Sequence, residues 1–133
     1  MLQKQTVEGH TFNLLNELMG LDFLNEFNLV GGTALSLQLG HRISIDLDLF
    51  NTKPFNILSV RNEMKYYFKE RINIISSEKN LLGIFSQIDG VKIDICKHPH
   101  PLIFPVLIID GIRMWSLQDI AASKVFAISA RAT

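Results

Sequence analysis

The stretch that decides the fold runs from Leu29 to Phe50 and reads L-V-G-G-T-A-L-S-L-Q-L-G-H-R-I-S-I-D-L-D-L-F. The pair Gly31-Gly32 follows an apolar run, and glycines allow a sharp turn and a close approach of the backbone to a ligand. Thr33 is a good N-cap for a helix over residues 34–39, and Gly40 stands where glycine commonly ends a helix. The sequence therefore predicts a strand, a glycine turn and a short helix.

The end of this stretch alternates apolar and polar residues, which is typical of a half-buried strand. One face would carry Ile43, Ile45, Leu47 and Leu49, and the other would carry Ser44, Asp46 and Asp48. Two carboxylates on one face repel each other unless they are solvated or share a hard cation such as Mg²⁺. Free N–H groups at a helix N-terminus form an anion site. A phosphate site next to paired carboxylates predicts chemistry on a nucleoside triphosphate.

Size and composition limit the class of protein. The chain has 133 residues, of which 47% are hydrophobic and 20% charged, and this is typical of one globular domain rather than a disordered chain. The formal net charge is zero, so no strong basic field indicates a nucleic-acid partner, although a local basic cleft remains compatible with that charge. Cys96 is the only cysteine, which excludes an internal disulfide and favours a cytoplasmic location. No apolar run approaches the roughly 20 residues of a membrane span, so we expect no membrane partner.

Helical and strand patterns alternate along the chain, which favours an α/β fold with helices packed on a mixed sheet. Helices are predicted over residues 6–19 and 55–70 and from Leu117 onward, and strands over 27–30, 43–49, 72–76, 81–88, 91–97, 106–109 and 112–115. Asp89-Gly90 and Asp110-Gly111 are two-residue hairpin signals. Ser116 and Asp119 form a capping box at the start of the last helix, and this role is sufficient to explain Asp119.

A third carboxylate lies in a second alternating segment. In Val91–Ile95 the aliphatic residues face a core, while Lys92 and Asp94 face outward together with Cys96. The nearby sequence H-P-H-P offers His98 and His100, but it lacks a second ligand pair at zinc spacing, so a zinc site is disfavoured. By itself each acidic motif is also explained by solvated carboxylates on a strand.

Together these motifs resemble a known family. The pattern G-G-T-A-L-x-L-x-x-G-H-R-x-S-x-D-L-D-L-F resembles the first motif of the AbiEii/AbiGii toxin family, within the DNA-polymerase-β-like nucleotidyltransferase superfamily. Lys92-Ile93-Asp94 is similar to the second motif, and residues 117–131 resemble the third, an Asp and a Lys on one helix. The resemblance implies a mixed α/β nucleotidyltransferase fold. It also implies an enzyme that transfers a nucleoside monophosphate from a nucleoside triphosphate with the help of Mg²⁺ or Mn²⁺.

The resemblance also implies roles for individual residues. The triphosphate would be held by Gly31, Gly32 and Thr33. The metal ions would be bound by Asp46, Asp48 and Asp94, with Asp94 acting either as a ligand or as the general base. Lys124 would bind phosphate oxygens, with Arg131 in support. Two alternatives stay open for Arg42, which would reach phosphate or pair with Asp46, and Ser44 is either a phosphate contact or a spectator.

In cellular terms, the resemblance implies the toxin of a toxin–antitoxin or abortive-infection system, with tRNA as an acceptor and a cognate antitoxin as partner. An antibiotic or a protein as acceptor would need the same chemistry. Family members continue into a helical second half with a D-x-x-D motif, which is absent here. We therefore expect residues 1–133 to form a single nucleotidyltransferase domain that is truncated at its C-terminus. The alternative is an inactive nucleotide-binding module that acts with another subunit.

Overall fold

Seven strands form one mixed sheet in the computed structural model, which describes residues 9–40, 46–77, 79–80, 82–98 and 101–123. In chain order the elements are α1 (Gly9–Met19), β1 (Asn28–Val30), α2 (Gly31–Leu39), β2 (Leu47–Asn51), α3 (Ile57–Phe68), β3 (Ile72–Ile74), β4 (Gly83–Ile88), β5 (Val91–Lys97), β6 (Leu107–Ile109) and β7 (Ile112–Met114). Residues 117–123 are helical and are called α4. Single turns of 3-10 helix lie at Asp22–Leu24 and Lys69–Arg71. The predicted mixed α/β fold is confirmed.

The strand order is β3-β4-β5-β2-β1-β7-β6. β2 pairs in parallel with β5, and β1 pairs in parallel with β7, whereas the other neighbours are antiparallel. The central pair β2–β5 places Asp48 directly opposite Asp94. Because the pairing is in register, residues on the same face of the two strands form continuous rows across the sheet.

One face of the sheet is buried in the core. Aliphatic residues alternate on every central strand and are inaccessible to solvent: Leu29, Leu47, Leu49, Ile84, Ile88, Ile93, Ile95, Ile112 and Met114. Their side chains form one cluster with buried residues of α1 and α3, among them Leu15, Leu18, Met64 and Phe68. The strand residues between them therefore lie on the opposite face, which is the face that carries both Asp48 and Asp94.

Both predicted two-residue hairpins are present. Asp89 and Gly90 have φ of 52° and 83°, and Asp110 and Gly111 have φ of 52° and 80°. Positive φ at both central residues is the signature of the tight turn that matches the twist of antiparallel strands. The first hairpin joins β4 to β5 in the register that pairs Phe85 with Asp94.

The start of α2 differs from the prediction. The helix begins at Gly31 and its N-cap is Val30, whose extended backbone makes no side-chain capping bond. The prediction that Thr33 is the N-cap is therefore wrong, because the glycine pair belongs to the first helical turn instead of preceding it. The predicted end is confirmed, since Gly40 adopts a left-handed conformation with φ of 73° and its N–H donates to the carbonyl of Ser36.

Arg113 of β7 joins the first elements of the chain. Its guanidinium donates to the carbonyl oxygens of Met19, Leu24 and Phe27 at 3.1, 2.9 and 3.1 Å. These carbonyls lie at or after the ends of α1 and of the following 3-10 turn, where the helix leaves acceptors unpaired. Arg113 therefore holds the segment that leads into β1 and the glycine turn.

Candidate active site

Asp48 and Asp94 form the centre of the candidate site. They lie on adjacent parallel strands, directly opposite each other, on the face that the core does not cover. The side chain of Asp94 is 14% exposed, and Lys92 Nζ lies 3.5 Å from its Oδ2. Its other oxygen, Oδ1, is buried and has no hydrogen-bond partner among the described residues. The pair thus offers a carboxylate oxygen that the described protein leaves unsatisfied.

The electrostatics of this pair disfavour two negative charges. Burial, followed by the charge of Asp94, raises the pKa of Asp48 from 3.8 to about 6. Burial also raises the pKa of Asp94, although Lys92 partly opposes this change. Asp46 adds a negative charge that raises the pKa of both carboxyls. Because the site concentrates negative charge at low solvation, a cation bound between these groups would stabilise their charged forms.

The first turn of α2 approaches Asp48 closely. Gly31 has φ of +74°, and a Cβ added to it would lie 2.5 Å from Oδ2 of Asp48. A glycine is therefore required both by the backbone conformation and by the carboxylate. The N–H groups of the first helical turn have no intrahelical acceptor, and Gly31, the first residue of that turn, lies beside Asp48.

Thr33 connects α2 to the residue that precedes β2. Its side chain is fully buried, and its hydroxyl donates to the backbone carbonyl of Asp46. Asp46 itself is exposed and directly precedes β2. The hydroxyl of Thr33 is thus engaged in positioning the backbone at Asp46, two residues before Asp48.

Other predicted residues fall outside this geometry. Arg42, Ser44, Lys124 and Arg131 lie outside the described residues, as does His100. Within the described ranges, no group of three or more His, Cys, Asp or Glu side chains is arranged to hold a metal ion. The chemistry of the pair nevertheless suits a hard cation, because Asp94 Oδ1 has no hydrogen-bond partner among the described residues and the charge of Asp94 disfavours the charged form of Asp48.

Sequence reasoning missed an aromatic cluster on the same face. The ring of Phe50, two residues after Asp48, stacks on His98 at 6.1 Å and meets the edge of Trp115 at 5.5 Å. From the sequence, His98 stands out only as a disfavoured zinc ligand. The sequence did indicate the position of His98, because the two-residue alternation that puts Asp94 and Cys96 on one face of β5 continues to His98.

Asp119 also has a role beyond capping. As predicted, the hydroxyl of Ser116 accepts from the N–H of Asp119 at 3.1 Å. The carboxylate, however, accepts from the N–H groups of Ile103 and Phe104 at 2.8 and 3.0 Å. Burial alone would raise the pKa of Asp119, but these two bonds and one from the Ser116 hydroxyl outweigh it and lower the pKa. Asp119 therefore holds the loop before β6 against α4.

Comparison with known proteins identifies the family. The sequence profile of the family described as "Nucleotidyl transferase AbiEii toxin, Type IV TA system" matches residues 13–133. The chain belongs to the AbiEii family. An uncharacterised protein of Aquifex aeolicus is 35% identical over 121 residues, which cover 88% of this chain and 57% of that protein.

Solved structures share the fold of this AbiEii protein. One is an H. pylori protein provisionally named a nucleotidyltransferase, with a TM-score of 0.53, 21% identity, and coverage of 89% of this chain and 59% of that chain. Another is the CCA-adding enzyme of Thermotoga maritima, complexed with tRNA, with a TM-score of 0.52, 24% identity and coverage of 70% and 22%. The chain thus spans less than two thirds of the length of these relatives.

No helix among the described residues is both long enough and apolar enough to cross a membrane.

Proposed function

We propose that this AbiEii protein transfers a nucleoside monophosphate from a nucleoside triphosphate to an acceptor hydroxyl. The observation that carries the proposal is the in-register pair Asp48–Asp94 beside the first turn of α2. Family membership supports the same activity. A site for anions would then lie next to a site for cations, and the substrate, a metal-bound triphosphate, needs both.

The triphosphate would lie at the N-terminus of α2. Gly31, Gly32 and Thr33 are its first three residues, so their N–H groups have no acceptor within the helix. The positive end of the helix dipole and the absence of side chains on the glycines favour a close approach of phosphate. The buried hydroxyl of Thr33 would contribute indirectly, through its bond to the carbonyl of Asp46.

Asp46, Asp48 and Asp94 would hold Mg²⁺ or Mn²⁺. Such ions bind carboxylate oxygens together with substrate phosphates, and they neutralise charge that develops on the transferring and leaving groups. The unsatisfied Asp94 Oδ1 and the raised pKa of Asp48 support this assignment.

In the reaction, the oxygen of the acceptor hydroxyl forms a bond to the α-phosphorus. The bond from that phosphorus to the oxygen bridging it to the β-phosphorus breaks, and pyrophosphate leaves. Asp94 would accept the proton of the hydroxyl, a role that suits a carboxylate whose pKa is raised by burial. Arg42, Ser44 and Lys124 would bind phosphate oxygens.

The acceptor and the cellular role are part of the same proposal. A tRNA acceptor is supported by the shared fold of the tRNA-bound CCA-adding enzyme, and a toxin role by the description of the family as a type IV toxin. A cognate antitoxin would be the partner. A cytoplasmic location is supported by the single cysteine, since no internal disulfide is possible.

The test incubates the chain with Mg²⁺, bacterial tRNA and each of the four α-labelled nucleoside triphosphates in turn. We expect label to be transferred to tRNA, and we expect Asp46→Asn and Asp94→Asn to abolish transfer. The matched control is Glu63→Gln, which removes one exposed carboxylate from α3 and should leave transfer unchanged. Transfer that survives in both aspartate variants would refute the assignment of the site.

A second candidate is a nucleotide-binding module that needs another polypeptide for catalysis. The observation that favours it is that, within the described ranges, no group of three or more His, Cys, Asp or Glu side chains is arranged to hold a metal ion. Such a module would show stabilisation by a nucleoside triphosphate and Mg²⁺ in a thermal unfolding assay, without transfer of label. Asp48→Asn would abolish that stabilisation under either candidate, so label transfer is the measurement that separates them.

A further inference from the structure

A small cavity lies on the same face of the sheet as the paired carboxylates. Its volume is about 160 Å³, and its walls include His98, Leu102, Ile103, Trp115, Asp119 and Ala122. Most of these walls are apolar or aromatic, with a few polar groups, which is the composition typical of small-molecule pockets.

The cavity continues the row of residues that contains the carboxylates. Asp94, Cys96 and His98 alternate along the same face, and the N–H of His98 extends the pairing by donating to the carbonyl of Asn51 at 2.9 Å. Four residues of extended chain cover about 13 Å, so the cavity lies roughly that far from Asp94 along the sheet. On the neighbouring strand β2, Phe50 follows Asp48 on the same face and contacts the cavity residues His98 and Trp115.

Three aromatic rings connect the carboxylates to the cavity. Phe50 contacts both His98 and Trp115, and the rings of His98 and Trp115 meet edge to face at 5.0 Å. Flat heteroaromatic ligands stack well on such surfaces, and this stacking depends little on sequence-specific hydrogen bonds.

Trp115 adds a polar feature to this wall. Its side chain is fully buried, and its indole N–H has no hydrogen-bond partner in the described parts of the chain. A buried donor without a partner is unfavourable, so an acceptor atom would stabilise the site once the side chains that cover this nitrogen move aside. The neighbouring Asp119 is already satisfied by the N–H groups of Ile103 and Phe104.

We propose that this cavity binds the nucleobase of the nucleoside triphosphate. The inference rests on the proposed function, because it requires the triphosphate to lie at the start of α2 beside Asp48. From that point the nucleotide would extend along β2, past Phe50, and place its base between His98, Trp115 and α4. The base supplies what the cavity lacks, which is a flat ring with acceptor nitrogens or carbonyl oxygens.

The only tryptophan of the chain provides a direct test, because its fluorescence reports on this wall alone. The full chain is titrated with ATP, GTP, CTP, UTP and inorganic tripolyphosphate in the presence of Mg²⁺, and binding is measured in parallel by calorimetry. We expect at least one nucleoside triphosphate to bind and change the fluorescence of Trp115. Tripolyphosphate should bind without that change.

A pair of alanine variants locates the base. Ala122 lines the cavity and is exposed, so Ala122→Leu narrows its mouth without disturbing the core. Ala121→Leu makes the same change at an adjacent exposed position that does not line the cavity. We expect Ala122→Leu to raise the Kd of the nucleoside triphosphate about tenfold or more, and to leave the Kd of tripolyphosphate unchanged, whereas Ala121→Leu changes neither.

The outcomes separate this inference from the function on which it rests. Equal nucleotide affinity in both alanine variants, or nucleotide binding without a change in Trp115 fluorescence, would overturn the base pocket and leave the proposed function standing. Failure of the wild-type chain to bind either nucleotide or tripolyphosphate would overturn the proposed function and the base pocket together.

Discussion

Substitution of Gly31 by alanine tests the contact between α2 and the carboxylates. The new Cβ would lie 2.5 Å from Asp48 Oδ2, a separation that forces the carboxylate to move. The backbone at φ of +74° adds a second cost, because a side chain in this left-handed region costs about 1–2 kcal/mol. Moving Asp48 away from its preferred rotamer adds about 0.5–1.5 kcal/mol. Gly31→Ala should therefore destabilise the protein by about 1.5–3.5 kcal/mol.

Gly90→Ala is the matched control for this experiment. Gly90 has φ of +83°, so the backbone cost is similar, but a Cβ there meets no described atom within 4 Å. Urea denaturation of both variants separates the two effects, since the excess loss in Gly31→Ala measures the collision with Asp48. In an Asp48→Ala background the excess should disappear, because the atoms that collide are gone.

The same substitution should affect activity. Displacing a reacting group by about 1 Å commonly costs about 100-fold in rate, so we expect nucleotide transfer by Gly31→Ala to fall by about that factor. Gly90→Ala should transfer at the wild-type rate. If Gly31→Ala lost no more stability than Gly90→Ala and kept full activity, the close approach of α2 to Asp48 would be refuted.

Three further changes test the charges and the anchors of the fold. Folding raises the pKa of Asp48 from 3.8 to about 6, so between these two pH values the folded state binds more protons than the unfolded state. The contribution of Asp48 to the free energy of unfolding should therefore fall by up to about 3 kcal/mol as the pH rises from 3.8 to 6. In urea denaturation with a chelator, Asp48→Asn should remove this fall, and an unchanged pH profile would contradict the raised pKa. Asp119→Ala removes the carboxylate that accepts from the N–H groups of Ile103 and Phe104 and should cost about 3 kcal/mol in thermal unfolding, while Gln118→Ala at the adjacent exposed position should cost less than about 0.5 kcal/mol. In Arg113→Lys the ammonium group cannot replace all three bonds of the guanidinium to carbonyl oxygens, so the substitution should lower the free energy of unfolding by about 2 kcal/mol. The control is Arg61→Lys, which breaks one bond to a carbonyl, and an equal loss of stability in the two variants would contradict this role of Arg113.

Local patterns predicted the hairpins and strands well because their causes are local. Positive φ is intrinsically accessible to Asp-Gly pairs, and alternation of aliphatic residues depends only on which face is buried. The prediction failed at Thr33, where the residue type favours an N-cap but the glycine pair can enter the helix itself. The buried position of Thr33 then lets its hydroxyl bond to Asp46, a contact between distant elements that no local propensity encodes.

The sequence by itself determined the family, the alternating strands and the identity of the acidic residues, because motif spacing and side-chain period are properties of the chain alone. Only the tertiary structure decided that Asp48 lies opposite Asp94, since the register of two parallel strands depends on packing and on the segments that connect them. Tertiary packing also brought Phe50, His98 and Trp115 together from three separate segments. The raised pKa of Asp48 has the same origin, because burial and a neighbouring charge exist only after the strands have paired.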